Sequence, residues 1–368
     1  MGLTALQEQG HGLGGVVGEY RGLTTTLHFG DPQAEFAALR SGCGVYDLGY
    51  RAKISLKGGD RMRWLNGMVT NNIRDLAQGH GVYAFLLNPQ GHILGDLYAY
   101  NRGDSIIVDT DRNQVEKMLS VFDHYIIMDD VEVANLTESV TALGIMGPKS
   151  REVLSAAGFS ISEMTPLQIA ESNSAAGAMP CALVRGEYMD FQSHELWLAP
   201  GEVRKVWDAL VAQGAAPVGS EAIETHRIVS GIPLYGVDIR DRELPQETEQ
   251  ARALNFNKGC YVGQEIVERI RSRGAVHRKF SGFVSDSGQP IAAGSKIVFG
   301  EKDVGEVTSV ASLRSPNPER TVALGYLRRD AAVPGREILL GGVPGRLVSL
   351  PVTNDDLCSH GSAVRLPA

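Results

Sequence analysis

Residues Lys258 to Glu265 read Lys-Gly-Cys-Tyr-Val-Gly-Gln-Glu, which sets one thiol between two glycines and beside a cation, an amide and a carboxylate. That mixture suits chemistry in a loop better than it fills a core. Gly259 and Gly263 permit positive φ, so Cys260 can ride a tight turn, while Lys258 with the later Arg269, Arg271 and Arg273 would favour its thiolate. A thiolate at such a turn can exchange with disulfides, pass through reversible oxidation or lend one ligand to a metal. A free cysteine also serves as a small buried hydrophobe, and the residue types alone leave both roles open. Tyr261, Gln264 and Glu265 complete the loop, the last two placed to orient neighbours or to begin a helix. A second group with acid-base chemistry is Asp96. Strand parity sets it on one face with His92, Leu94, Tyr98 and Tyr100, where burial among apolar and aromatic side chains raises a carboxyl pKa. An acid exposed at a hairpin edge is the competing reading.

The elements that would position these groups fall into blocks. Val82 to Leu87 and His92 to Tyr100 flank Asn88-Pro89-Gln90-Gly91, a turn sequence that joins a hairpin. Lys53 to Leu56, Ile106 to Val108 and Val131 to Val133 read as further strands, and Val115, Leu119, Phe122 and Ile126 recur at helical spacing. The block from about 50 to 138 is therefore α+β. Beyond it, Val140 to Met146 reads as a strand and Gly147-Pro148 opens a helix that Gly158 ends. Ser160 to Pro180 reads mostly as loop, with strands expected at Cys181 to Val184 and Glu195 to Leu198. Val203, Val206, Trp207 and Leu210 mark one helix, and Ser220 to Val229 another. From Phe280 on, short β runs at 282–284, 296–299, 304–310, 321–327, 338–340 and 347–350 are punctuated by Gly and Pro, the pattern of a small antiparallel barrel or sandwich.

With 368 residues the chain can form two or three domains, each with its own core. A net charge of −8 argues against a nucleic-acid binder, although five Lys or Arg and His277 between Arg269 and Lys279 could make a local anion-binding strip. The first residues lack the pattern of a secretion signal, and no apolar run approaches membrane-spanning length, so no membrane association is expected. Cys43, Cys181, Cys260 and Cys358 are scattered, with no Cys-x-x-Cys pair and no zinc-type spacing. The expected setting is a reducing cytoplasm, with no stably bound metal.

The octapeptide, with Pro245-Gln246-Glu247-Thr248 before it and Arg271-Ser272-Arg273-Gly274 after it, resembles the signature of the YgfZ-type folate-binding proteins. These are relatives of the glycine-cleavage T-protein associated with iron-sulfur cluster assembly or repair. Tyr46-Asp47-Leu48, Val69-Thr70-Asn71, and Tyr83 with Leu87, Asn88, Gly91 and Asp96 are similar to the N-terminal half of the T-protein family. Val304-Gly305-Glu306-Val307-Thr308-Ser309, Ser315-Pro316 and Ala323-Leu324-Gly325-Tyr326 resemble its terminal barrel, so the likeness covers nearly the whole chain.

The resemblance implies a multi-domain α+β folate-binding fold with a small C-terminal antiparallel β-barrel. Its parts would be a discontinuous domain (1–50 plus 139–275), an inserted domain (51–138) and the barrel (276–368). It also implies tetrahydrofolate as cofactor. A reduced folate needs a carboxylate for the pterin edge, apolar walls and cations at the mouth. Glu195, ten residues after Arg185, matches the pterin-recognising glutamate, and Asp96 the acid-base group near a reactive nitrogen. Tyr83 joins the folate contacts, and Arg227 would bind the tail carboxylates or brace Glu195.

Two departures stand out. The family's Gly-Tyr-Thr-Gly-Glu run becomes Glu187-Tyr188-Met189-Asp190-Phe191, and Asp109 stands where a folate-contacting asparagine is common. Three functions follow in order of preference: a folate-binding protein that supports iron-sulfur assembly through Cys260, with assembly or recipient proteins as partners; a folate-dependent aminomethyltransferase or demethylase using Asp96; and a non-catalytic folate-binding or docking module.

Overall fold

In a computed structural model, residues 2–9, 13–173, 180–187, 192–274, 276–314 and 319–358 are described. The chain divides into two compact units. The first holds Met1–Leu86, Gly95–Ala222 and Asn255–Tyr261, and the second holds Leu87–Leu94, Ile223–Leu254 and Val262–Ala368.

The first unit contains two larger sheets. One has five strands in the order Gly81–Leu87, Ile93–Asn101, Ile106–Asp111, Arg51–Lys57 and Glu132–Asn135. The other has six, in the order Ile169–Asn173, Pro180–Arg185, Ser193–Leu198, Thr141–Met146, Gly44–Asp47 and Ala216–Val218. Only its last pair is parallel. Leu143, Ile145, Leu183, Leu196 and Leu198 cover one face of this sheet and pack on Val153 and Leu154 of the helix Ser150–Ala156 and on Val203, Val206, Trp207 and Leu210 of Val203–Ala212. The spacing of those four residues buries one stripe of the second helix, which is why its sequence announces it. Cys43 and Cys181 are small hydrophobes of the same core.

The hairpin expected around Asn88-Pro89-Gln90-Gly91 forms, with the Asn88 carbonyl accepting from the Gly91 N–H and Gly91 at φ +76°. The segment read mostly as loop instead carries the strand Ile169–Asn173, paired antiparallel with Pro180–Arg185. Its residues Ala170, Glu171 and Ser172 have weak strand propensity, and its place as a sheet edge comes from backbone pairing with a neighbour. The helix expected to open at Gly147-Pro148 begins at Ser150, because Gly147 sits at φ +127°, outside the helical region.

In the second unit the six expected β runs form a closed barrel of Arg278–Ser285, Arg320–Arg328, Lys302–Leu313, Lys296–Phe299, Glu337–Leu340 and Val343–Val348, in that order around the ring. Phe283, Ile297, Val307, Leu327 and Leu340 fill it. The fold is thus the expected multi-domain α+β arrangement with a small antiparallel C-terminal barrel. No helix among the described residues is long and apolar enough to cross a membrane.

Candidate functional site

Asp96 lies on Ile93–Asn101 with its neighbours alternating between core and half-buried positions. Its carboxylate accepts from the Tyr83 hydroxyl at 2.8 Å and from Gln114 Nε2 at 2.8 Å, while Gln114 Oε1 accepts from the Asp96 backbone N–H at 3.0 Å. Gln114 therefore clamps both the backbone and the side chain of Asp96. Burial, reinforced by the charge of Asp111, holds the Asp96 pKa above the usual carboxylate value despite those donors. An acid so placed keeps a proton more readily than one in water.

Next to it runs a ladder of charge fixed by strand register. Arg51 stands opposite Asp111 and Lys53 opposite Asp109 on adjacent antiparallel strands. Arg51 reaches Asp109 at 2.6 Å and Asp111 at 2.7 Å, Lys53 reaches Asp109 at 2.7 Å, and Arg21 joins Asp111 at 3.1 Å. Burial draws the Arg51 pKa down, but the two carboxylates outweigh it and the net shift is well upward. Asp109, noted from sequence as an acceptor in place of an asparagine, is thus tied up by two internal cations.

Glu195, on Ser193–Leu198, accepts at Oε2 from Trp197 Nε1 at 2.8 Å. Burial and the charge of Asp109 raise its pKa, opposed by Lys53 and Arg51. The Trp197 ring stands edge-on to Tyr100 with centroids 5.2 Å apart, and Lys53 Nζ lies 4.4 Å from its centroid. Tyr100 stacks near Tyr98, whose ring lies 4.9 Å from Tyr83. Tyr83, Tyr98, Tyr100 and Trp197 therefore form an aromatic row with Asp96 at one end and Glu195 at the other, and the charge of Arg51 acts on both acids. Tyr98 also donates to Glu187 at 3.1 Å, the one residue of the divergent 187–191 run within the described residues. Such a row can lie against a flat heterocycle, with a carboxylate at one edge for an amino-pyrimidine and an acid for proton transfer at the other. Among the described residues no group of three or more His, Cys, Asp or Glu is placed to hold a metal ion.

The octapeptide is divided between the units. In the first, Lys258 is 1% exposed, donates from Nζ to the carbonyls of Asn66 and Val69, and lies 4.6 Å from the Tyr261 ring centroid. Burial pulls its pKa down to about 7. The expectation that Lys258 holds Cys260 as a thiolate is corrected here: its ammonium is spent on carbonyls inside the unit, because a buried cation needs acceptors. Cys260 itself is exposed and free. Gly259 and Gly263 adopt φ of +89° and +81°. In the second unit Gly263 caps the helix Gln264–Arg273, so Gln264 and Glu265 start it as expected. In the strip after it, Arg271 pairs with Glu268, Arg278 with Glu243 and Glu247, and Lys279 with Glu249, so these cations already have carboxylate partners.

Arg227 requires a second correction. It is buried in the second unit and bonded to Asp238 at 2.6 Å, to Glu224, to the Ile232 carbonyl at 2.6 Å and to Ser309 at 2.8 Å. Asp238 is fully buried, and the pair fixes Arg227 as an internal ion-pair partner, in place of a cation presented to a folate tail or a brace for Glu195. Sequence reading did not single out Arg51, Lys53, Gln114 or Trp197 for roles at this site. The alternation of Arg51, Lys53 and Ser55 on one strand was the available signal, but nothing local named their partners.

Residues 6–258 match the GCVT N-terminal domain and residues 278–355 the glycine cleavage T-protein C-terminal barrel domain. Among curated relatives, an aminomethyltransferase of Rubrobacter xylanophilus is 29% identical over 353 residues, covering 95% of this chain and 93% of the relative. One of Halothermothrix orenii is 28% identical, covering 92% and 96%. The crystal structure of the glycine cleavage system aminomethyltransferase T from Bartonella henselae superposes with a TM-score of 0.85 over 95% of this chain and 97% of that one, at 22% identity, a likeness of fold. With the N-terminal model alone matching well over half of its residues and the barrel model following in order, the chain belongs to the glycine cleavage T-protein family.

Proposed function

We propose that the protein binds a reduced folate along the aromatic row between Asp96 and Glu195 and supports iron-sulfur cluster assembly or repair through Cys260. The observation that carries this reading is the exposed thiol of Cys260 in an irregular loop between two glycines that both take positive φ, in a chain of T-protein family and fold. Three features support the cofactor reading: Glu195 offers acceptors to an amino-pyrimidine edge, half-buried Tyr98 within the aromatic row offers a ring face to the pterin, and Asp96 offers a proton at the far end. A bound tetrahydrofolate would supply the one-carbon acceptor nitrogens. One thiolate is a quarter of the usual ligand set of a cluster, so Cys260 would give a transient ligand or exchange with a partner's thiol or disulfide, the assembly or recipient protein supplying the rest. Replacing Cys260 by Ala should lower iron-sulfur enzyme activity in cells while leaving the fold and abundance of the protein intact. Normal activity in that variant at matched abundance would end the proposal.

A second reading, aminomethyl transfer, is favoured by the raised pKa of Asp96 and by the likeness to the aminomethyltransferases of Rubrobacter xylanophilus and Halothermothrix orenii. It requires turnover of an aminomethyl or methylamine donor by purified protein with reduced folate, with Cys260→Ala remaining active. Absence of any turnover removes it.

A further inference from the structure

The charge ladder of the first unit does not stop at the site. Alternation puts Arg51, Lys53, Ser55 and Lys57 on one face of their strand. The first two face Asp111 and Asp109, Ser55 faces Ile107 and Ala134, and Lys57 faces Glu132. Those last two rungs help line a groove of about 790 Å³, together with Arg102 and Glu171, which pair with each other. A smaller cavity of about 210 Å³ shares Arg102, Ile107, Leu136 and Glu171 with the groove and is otherwise lined by Lys53, Trp197, Val140, Cys181 and Leu198 among others.

We infer that this groove binds a zwitterionic α-amino acid with an apolar side chain. Lys57 and Glu132 have no ion-pair partner among the described residues, and they project from directly opposed positions of an antiparallel pair, about 5 Å apart at Cβ. An α-amino acid carries its carboxylate and ammonium on one carbon, so it can lie across that rung with its carboxylate on Lys57 and its ammonium on Glu132. A lone amine pairs only with Glu132 and a lone acid only with Lys57, so each leaves the other charge of the rung without a ligand partner. The 5% exposed Ser55 sets a hydroxyl in the floor beside the rung. Ile107 and Leu136, which line both cavities, give the groove an apolar wall for the side chain where it adjoins the smaller chamber. The inference does not require bound folate, although the smaller chamber shares Trp197 with the aromatic row, and its readout is binding alone.

The test is calorimetric titration of the full chain with L-leucine, with isoamylamine, which lacks the carboxylate, and with 4-methylpentanoate, which lacks the ammonium. Leucine should bind saturably, and each single-charge analogue about tenfold or more weaker, the cost of one charge-assisted hydrogen bond. Lys57→Met should weaken leucine by a similar factor and leave isoamylamine unchanged, while Glu132→Gln should weaken leucine and leave 4-methylpentanoate unchanged. Both residues are exposed, so each variant keeps the fold, which circular dichroism checks. No saturable leucine binding, equal binding of either analogue, or leucine binding indifferent to both substitutions overturns the inference.

Discussion

Asp96 owes its chemistry to what was taken away from it more than to what touches it. Two donors stabilise its charged form, yet loss of water and the nearby Asp111 prevail and raise its pKa. A carboxyl whose folded pKa exceeds its unfolded value binds more protons folded than unfolded, so its contribution to stability declines as pH climbs from the unfolded pKa, near 3.9, through the folded one. Asp96→Asn escapes that loss. The variant should gain thermal stability relative to wild type as pH rises from 4 to 7, while any folate-dependent turnover falls by about 10²–10⁴-fold, the range for a lost acid-base group. A melting series against pH, beside an activity assay, checks both. Lys258 runs the other way. Its folded pKa of about 7 lies below the unfolded value, so the unfolded chain holds more protons between pH 7 and 10.5, and the fold gains stability as pH rises through that window. Lys258→Met should lack that gain, which amounts to at most about 1.4 kcal/mol per pH unit. Denaturant midpoints of the two proteins at pH 6.5, 8 and 9.5 would reveal it.

At the scale of elements, the two glycines of the octapeptide do different work. Gly259 at φ +89° has no atom within 4 Å of where a Cβ would stand, so Gly259→Ala should cost only the left-handed backbone penalty, about 1–2 kcal/mol. Gly263 at φ +81° would place a Cβ 2.6 Å from the Asn88 carbonyl oxygen at the tip of the hairpin. Backbone cannot yield there without moving the hairpin or the helix Gln264–Arg273, so Gly263→Ala should cost clearly more than its counterpart. Parallel urea titrations rank the pair, and equal costs would contradict the close approach. Both glycines were legible as turn residues from their spacing around a cysteine. The partner of Gly263 was not, because Asn88 lies far from it in sequence and only packing brings the two backbones together.

At the scale of the whole molecule, the second unit is held by an ion pair in which Arg227 joins the Ser220–Val229 helix to Asp238 and to Ser309 of the barrel strand Lys302–Leu313. Asp238 also accepts from Ser309 at 2.8 Å and from Thr308. Removing the cation strands a fully buried carboxylate, so Arg227→Ala should destabilise by about 3–5 kcal/mol. Leucine at position 227 would leave the same unpaired charge and a similar loss, measurable as a lowered melting temperature. An arginine that merely lined a ligand site would cost little in the absence of ligand, and a small loss would reinstate that role.

The sequence by itself determined the short antiparallel strands after Phe280, since alternating runs cut by Gly and Pro have few alternatives, while their closure into a barrel, and not a sandwich, was decided by strand pairing; it determined the two glycines around Cys260, since positive φ is a local property. It also determined the parity that sets Asp96 on one face with Tyr98. Tertiary structure decided the rest: that Lys258 turns inward, that Arg227 meets Asp238, and that Arg51 and Lys53 meet Asp109 and Asp111. Each of these is a charge whose role depends on its partner. A charged side chain announces its sign in sequence, but strand register and burial choose what neutralises it, and register is settled only when distant strands pair.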